Sequence, residues 1–125
     1  MIITRVYSTP DGESHAEDLE VPMDESGRSM LSPMIDVKGA ILRESTHDGA
    51  TGFHNARMRH LCVPLQGGFE LECTDGTKKR IVPGTIMLGE DMTGRGHASV
   101  EIPPRLTMLL PLPEDFDTST WKRVG

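Results

Sequence analysis

The chain has 125 residues, 13 Lys and Arg against 19 Asp and Glu, a formal net charge of -6, and 36% hydrophobic residues. That length fits one domain with a real core but not two, and the negative charge repels a phosphate backbone, so nucleic acid is not an expected partner. The longest apolar runs, such as Leu106 to Leu112, fall far short of the roughly 20 residues of a membrane-spanning helix. The start carries no basic segment followed by an apolar one, so the expectation is a soluble cytoplasmic protein without a membrane partner.

In chain order, residues 1–33 carry Pro10, Gly12, Pro22, Gly27 and Pro33 among acidic and polar residues, with short apolar pieces at Ile2-Ile3 and Val6-Tyr7. They read as an N-terminal arm outside the core, either a partly ordered terminus or strands that pair with the edge of a second subunit. A homodimer is expected on that ground. Met34 to Glu44 reads as the first core strand, with a bulge at Gly39 restoring alternation. Ser45 to Gly52, with Thr46, His47, Asp48 and Gly49, reads as a loop.

From Phe53 to His97, apolar segments (Met58 to Leu65, Phe69 to Cys73, Ile81 to Leu88) alternate with the turn signals Gly67-Gly68, Asp75-Gly76 and Pro83-Gly84. A two-residue turn at Asp75-Gly76 would set Glu72 opposite Lys79 and Thr74 opposite Thr77. A similar turn at Gly67-Gly68 would bring Cys62 and Cys73 opposite each other. Two cysteines are too few for a secreted disulfide framework, which points to a reduced compartment, and two buried thiols are favoured over a cross-strand disulfide because Pro64 disturbs that ladder. Ala98 to Ile102 alternates, Pro103-Pro104 breaks the pattern, and Leu106 to Leu112 makes a last strand; the tail, residues 114–125, brings Trp121 to cap one end. No helical periodicity occurs. The fold class is all-β, with the core in residues 34–113.

The spacing of the central stretch resembles the cupin superfamily, whose two motifs are written G(X)5HXH(X)3-4E(X)6G and G(X)5PXG(X)2H(X)3N. On the first, His54 takes the first histidine, Ala56 the second, His60 the glutamate position and Gly67 the closing glycine. On the second, Gly76 and Gly84 match, Val82 stands at the proline with Pro83 one place on, Met87 takes the histidine position and Asp91 the asparagine position. The run from Pro83 to His97 is similar to small bacterial cupins of unassigned reaction that read PGDxxLxEDxTGxGH. The resemblance implies a double-stranded β-helix, or jelly-roll, barrel with an inward-facing site. It also shows what is missing: Ala56 and Met87 remove two of the family's four metal ligands.

What remains sets the candidate site. His54 and His60 would lie roughly 20 Å apart on a straight strand, so sharing an ion requires a bend near Asn55 to Arg57, which the family fold supplies. His97, Glu90 and Asp91 are candidates for a third ligand, and neutral imidazoles with a carboxylate suit Zn, Fe, Ni or Mn. His54, His60 and His97 are therefore the candidate metal ligands, and Glu90 or Asp91 the candidate general base. Arg57 and Arg59 alternate against the histidines and are expected to face outward. Ser99 with His97 and Asp91 names the residue types of a hydrolase triad, without a nucleophile-elbow pattern around the serine. Two functions are expected: binding of a small polar or anionic metabolite, with or without a divalent metal, or metal-dependent enzymatic action (oxygenase, isomerase or lyase) on a small carboxylate or hydroxylated compound.

Overall fold

The computed structural model describes residues 1–45 and 49–125; of the loop expected from Ser45 to Gly52, Thr46, His47 and Asp48 lie outside the described residues, while Ser45 and Ala50 to Gly52 belong to strands. The strands are β1 (Ile2–Ser8), β2 (Ser14–Glu20), β3 (Asp24–Ser26), β4 (Ser29–Leu31), β5 (Ile41–Ser45), β6 (Ala50–His54), β7 (His60–Glu72), β8 (Lys78–Ile81), β9 (Met87–Glu90), β10 (His97–Pro111) and β11 (Lys122–Val124). The fold is all-β, and no helix among the described residues is long and apolar enough to cross a membrane. Nine strands form one sheet in the order β11-β2-β1-β9-β7-β10-β5, with β6 on β10 and β8 on β7. The sheet is mixed, because β1 runs parallel to β9 while the other pairs are antiparallel.

Two long strands organise this sheet. Near its start β7 pairs with β9, and near its end with β8; β10 pairs first with β6 and later with β5. Gly67-Gly68 and Pro103-Pro104, read from sequence as breaks, lie inside these strands instead. At Gly67 the backbone is left-handed (φ 60°), and a Cβ there would stand 2.2 Å from the Pro104 carbonyl oxygen and 2.3 Å from that of Ile102. At Gly68 a Cβ would meet the Ile81 carbonyl oxygen at 1.9 Å. The glycines serve close strand contact, not chain reversal. Leu65 has no partner opposite β10. This bulge slips the pleat by one residue, so even-numbered Cys62 and odd-numbered Phe69 enter the same apolar cluster.

The pleat divides the core into two clusters, since successive side chains point to opposite faces. Val6, Cys62, Phe69, Leu71, Cys73, Ile81 and Met87 form one, and Ile3, Leu19, Val21, Leu61, Leu88 and Leu112 the other. Cys62 and Cys73 are free thiols in the same cluster, not opposite each other across a hairpin, and burial pushes the Cys73 thiol up to about 11. Trp121 packs against the second cluster, edge-on to Phe116 with ring centroids 6.0 Å apart.

Three sequence expectations change. Residues 1–20 are not an arm: β1 and β2 join the main sheet, and Ile3, Val6 and Leu19 are buried. Their acidic character is matched by partners, as Arg5 pairs with Glu17 (2.8 Å) and Lys79 with Asp18 (3.2 Å). The strands held in reserve for a second subunit are therefore used within the chain; only β3 and β4, exposed throughout, stand apart as a two-stranded sheet. Second, the strand expected from Met34 begins only at Ile41, where β10 offers pairing partners. Third, the Asp75-Gly76 hairpin has the Gly76 amide donating to the Cys73 carbonyl (3.0 Å) and Gly76 at φ 89°, a type I turn followed by a left-handed residue. Its extra residue sets Glu72 opposite Lys78 rather than Lys79.

Gly67→Ala should cost more than about 2 kcal/mol, since backbone oxygens cannot yield as a flexible side chain can and the φ is unfavourable as well. Urea unfolding of the variant beside wild type measures this; an unchanged midpoint would refute the close-contact account.

Candidate functional site

The inward-facing residues of β10 line a cavity of about 580 Å³: His97, Ser99 and Glu101, then Arg105 and Leu109 beyond the proline pair. Opposite them lie His60, Cys62 and Phe69 of β7, Met87 of β9, Thr51 and His54 of β6, Ile41 and Arg43 of β5, and Asn55 to Met58 of the link between β6 and β7. Ile41, Phe69, Met87 and Leu109 give it an apolar wall. Ala56, Met58 and Cys62 extend that apolar lining, and the polar part consists of three arginines, three histidines, Thr51, Asn55, Ser99 and the carboxylate of Glu101.

Local structure fixes each histidine. The pairing of β6 with β10 puts His54 opposite His97, their ring centroids 4.7 Å apart. Asn55 holds this end by donating from Nδ2 to the carbonyls of Thr93 (2.9 Å) and Gly94 (3.0 Å), and the Ala56 amide donates to the Asp91 carbonyl (3.2 Å). Because carbonyl and ionised carboxylate oxygens only accept, the hydrogen bonds assign the tautomers. His54 Nδ1 donates to the Gly52 carbonyl (2.9 Å), His60 Nδ1 to the Met58 carbonyl (2.8 Å) and His97 Nδ1 to Asp91 Oδ2 (2.5 Å). Each Nε2 is left without a hydrogen-bond partner among the described residues. Asp91 is fully buried and its Oδ1 has no partner, so its charge acts on His97. Desolvation holds the His60 imidazolium below its ordinary range, only partly offset by the Met58 carbonyl and Asp91.

The sequence-derived candidates separate here. His54, His60 and His97 line one cavity, and Asp91 stands behind His97. Glu90 does not join them: alternation along β9 turns Met87 and Gly89 toward the cavity and Leu88 and Glu90 away. Its carboxylate receives Arg5 Nε (2.5 Å) and Arg59 Nε on the opposite face. Arg57, expected to point outward, lines the cavity, because residues 55–59 bend out of strand geometry and strand alternation no longer applies. Arg59 follows the expectation.

The tautomers would suit metal ligands, whose second nitrogen commonly donates to an oxygen. The arrangement does not: among the described residues no three His, Cys, Asp or Glu side chains converge closely enough to hold one ion. His54 is exposed while His60 and His97 lie deeper.

Sequence reasoning missed Arg43, Glu101 and Arg105. Arg105 donates from Nη1 to Glu101 (2.7 Å) and from Nε to Thr107 (3.2 Å), and its guanidinium lies over Phe69, 4.4 Å from the ring centroid. The odd-numbered phase that carries His97 and Ser99 also carries Glu101 and Arg105, a signal hidden by treating Pro103-Pro104 as the end of a strand. Arg43 and Arg57 make no ion pair among the described residues. No family model matches the chain, and no curated protein matches it in sequence.

The depressed proton affinity of folded His60 predicts a pH dependence. The unfolded chain titrates near 6.5 and the folded ring lower, so the unfolded state binds more protons as pH falls through that window. His60 therefore supports stability above about pH 6.5 and withdraws it below. The groups facing the ring are Asp91, His97, the Met58 carbonyl and the Gly89 backbone. Melting temperature should decline between pH 7 and pH 5 in wild type, and decline less in His60→Gln; parallel curves would remove His60 as the cause.

Proposed function

We propose that this chain is a small cupin-like protein of the double-stranded β-helix type that binds a small anionic metabolite, a carboxylate, in the cavity between β5, β6, β7, β9 and β10. The fold reading is supported by the motif spacing through His54, His60, Gly67, Gly76, Gly84 and Asp91, together with the all-β sheet. The ligand reading is carried by one observation: two guanidinium groups without an ion-pair partner among the described residues, Arg43 and Arg57, border one cavity in a chain of net charge -6. Local charge there opposes the overall charge, as it must if an anion is to be drawn in. The apolar wall beside them suits a short hydrocarbon body, and the volume falls within the range of small-molecule sites. Two reduced thiols agree with a cytoplasmic setting.

Thermal-shift and calorimetric titration with short-chain carboxylates, 2-oxo acids and 2-hydroxy acids, beside their uncharged amides, tests this. At least one acid should raise the melting temperature while its amide does not. Arg43→Gln or Arg57→Gln should weaken binding roughly tenfold, about 1.4 kcal/mol, and added salt should weaken it further. Equal binding of acid and amide, or no binding by any acid, would end the proposal.

A further inference from the structure

We infer that His97 is a general acid–base catalyst, positioned by Asp91, for proton transfer at a carbon next to a carbonyl of a bound 2-oxo acid. The inference rests on the proposed anion site and adds a reaction to it.

The pair has the parts that proton transfer needs. Asp91 is fully buried, lies 2.5 Å from His97 Nδ1 and leaves its second oxygen unpartnered. It holds His97 in the tautomer that keeps Nε2 basic, and it stabilises the imidazolium formed when Nε2 takes a proton. His97 lines the cavity that Arg43 and Arg57 border, and its Nε2 makes no hydrogen bond among the described residues. The base and the anion-holding groups thus meet in one space.

Other chemistries lack a group. The Cys62 thiol is raised by burial and stays protonated near neutral pH, so it is a poor nucleophile. Ser99 Oγ shares a hydrogen bond with Thr51 Oγ1 (2.9 Å) and makes none to a base among the described residues, so nothing activates it as a nucleophile. The Ser99, His97 and Asp91 combination is therefore two-thirds assembled, and the assembled part is the proton-transfer part.

The step balances without a co-reactant. The C3–H bond of the 2-oxo acid breaks, its proton passes to His97 Nε2, and the electron pair moves into the C2–C3 bond while the C2 carbonyl oxygen takes the charge. The guanidinium groups of Arg43 and Arg57 hold the carboxylate and offset that charge. Return of the proton from Nε2 to C3 restores the acid, and in deuterated water it leaves deuterium there.

Proton NMR of 2-oxobutanoate in deuterated buffer, at saturating acid, reads the exchange at C3 against an enzyme-free control. Wild type should accelerate it. His97→Ala and His97→Gln should each lower the saturated rate by about a hundredfold or more, the scale of acid–base catalysis, and added imidazole should restore part of the rate to His97→Ala. Asp91→Asn should lower the rate at saturation while calorimetry finds 2-oxobutanoate bound with the wild-type stoichiometry and affinity, which loss of fold would not allow. Binding of 2-oxobutanoate by calorimetry without accelerated exchange would overturn the inference and leave the anion site standing. Exchange that survives both His97 variants, or lacks imidazole rescue, would also overturn it. If no carboxylate binds, both readings fall together.

Discussion

The structure depends on one close approach between backbones, where Gly67 and Gly68 of β7 meet the carbonyls of Ile102, Pro104 and Ile81 at distances no Cβ could share. Each long strand serves different neighbours at its two ends, and this crossing is where the register resets. The unpaired Leu65 slips the pleat, so Cys62 from one end of β7 and Phe69 from the other both reach the cavity wall. Without that slip, Phe69 would turn to the second cluster, Arg105 would lose the ring it lies over, and the cavity would lose much of its apolar side.

Alternation then assigns charges to two different tasks. On the face away from the cavity, Glu90 is held between Arg5 and Arg59 and is neutralised there, which serves packing and register. Across the sheet, Arg105 is neutralised by Glu101, while Arg43 and Arg57 have no ion-pair partner among the described residues. Adjacent residues in sequence, Glu90 and Asp91, thereby take unrelated roles. One is an ion-pair partner; the other is buried under a histidine with half its carboxylate unmatched. An unmatched buried oxygen is costly, and here the other oxygen of the same carboxylate fixes the ring of His97 through Nδ1.

The three histidines share a hydrogen-bond pattern but not a common centre. Each is oriented from Nδ1 by an oxygen of its own strand, loop or neighbour. All three line one cavity, with His54 exposed and His60 and His97 deeper.

Some of this was legible in the residues themselves. Strand-length apolar segments, turn dipeptides and the lack of helical periodicity determined the all-β class, and the spacing around His54, His60, His97 and Asp91 marked the stretch that lines the cavity. Those are local properties, set by pleat and turn chemistry. Long-range pairing decided the rest. Residues 1–20 carry too little apolar content to read as core, yet their acidic side chains find Arg and Lys partners in space, and β9 supplies a parallel neighbour that no local pattern announces. Arg43, Glu101 and Arg105 became part of the site because β5 and the far half of β10 were brought beside β7. The same glycine pair that reads as a turn became a crossing, since small size serves a tight reversal and a tight contact equally, and only the position of the second strand distinguishes them.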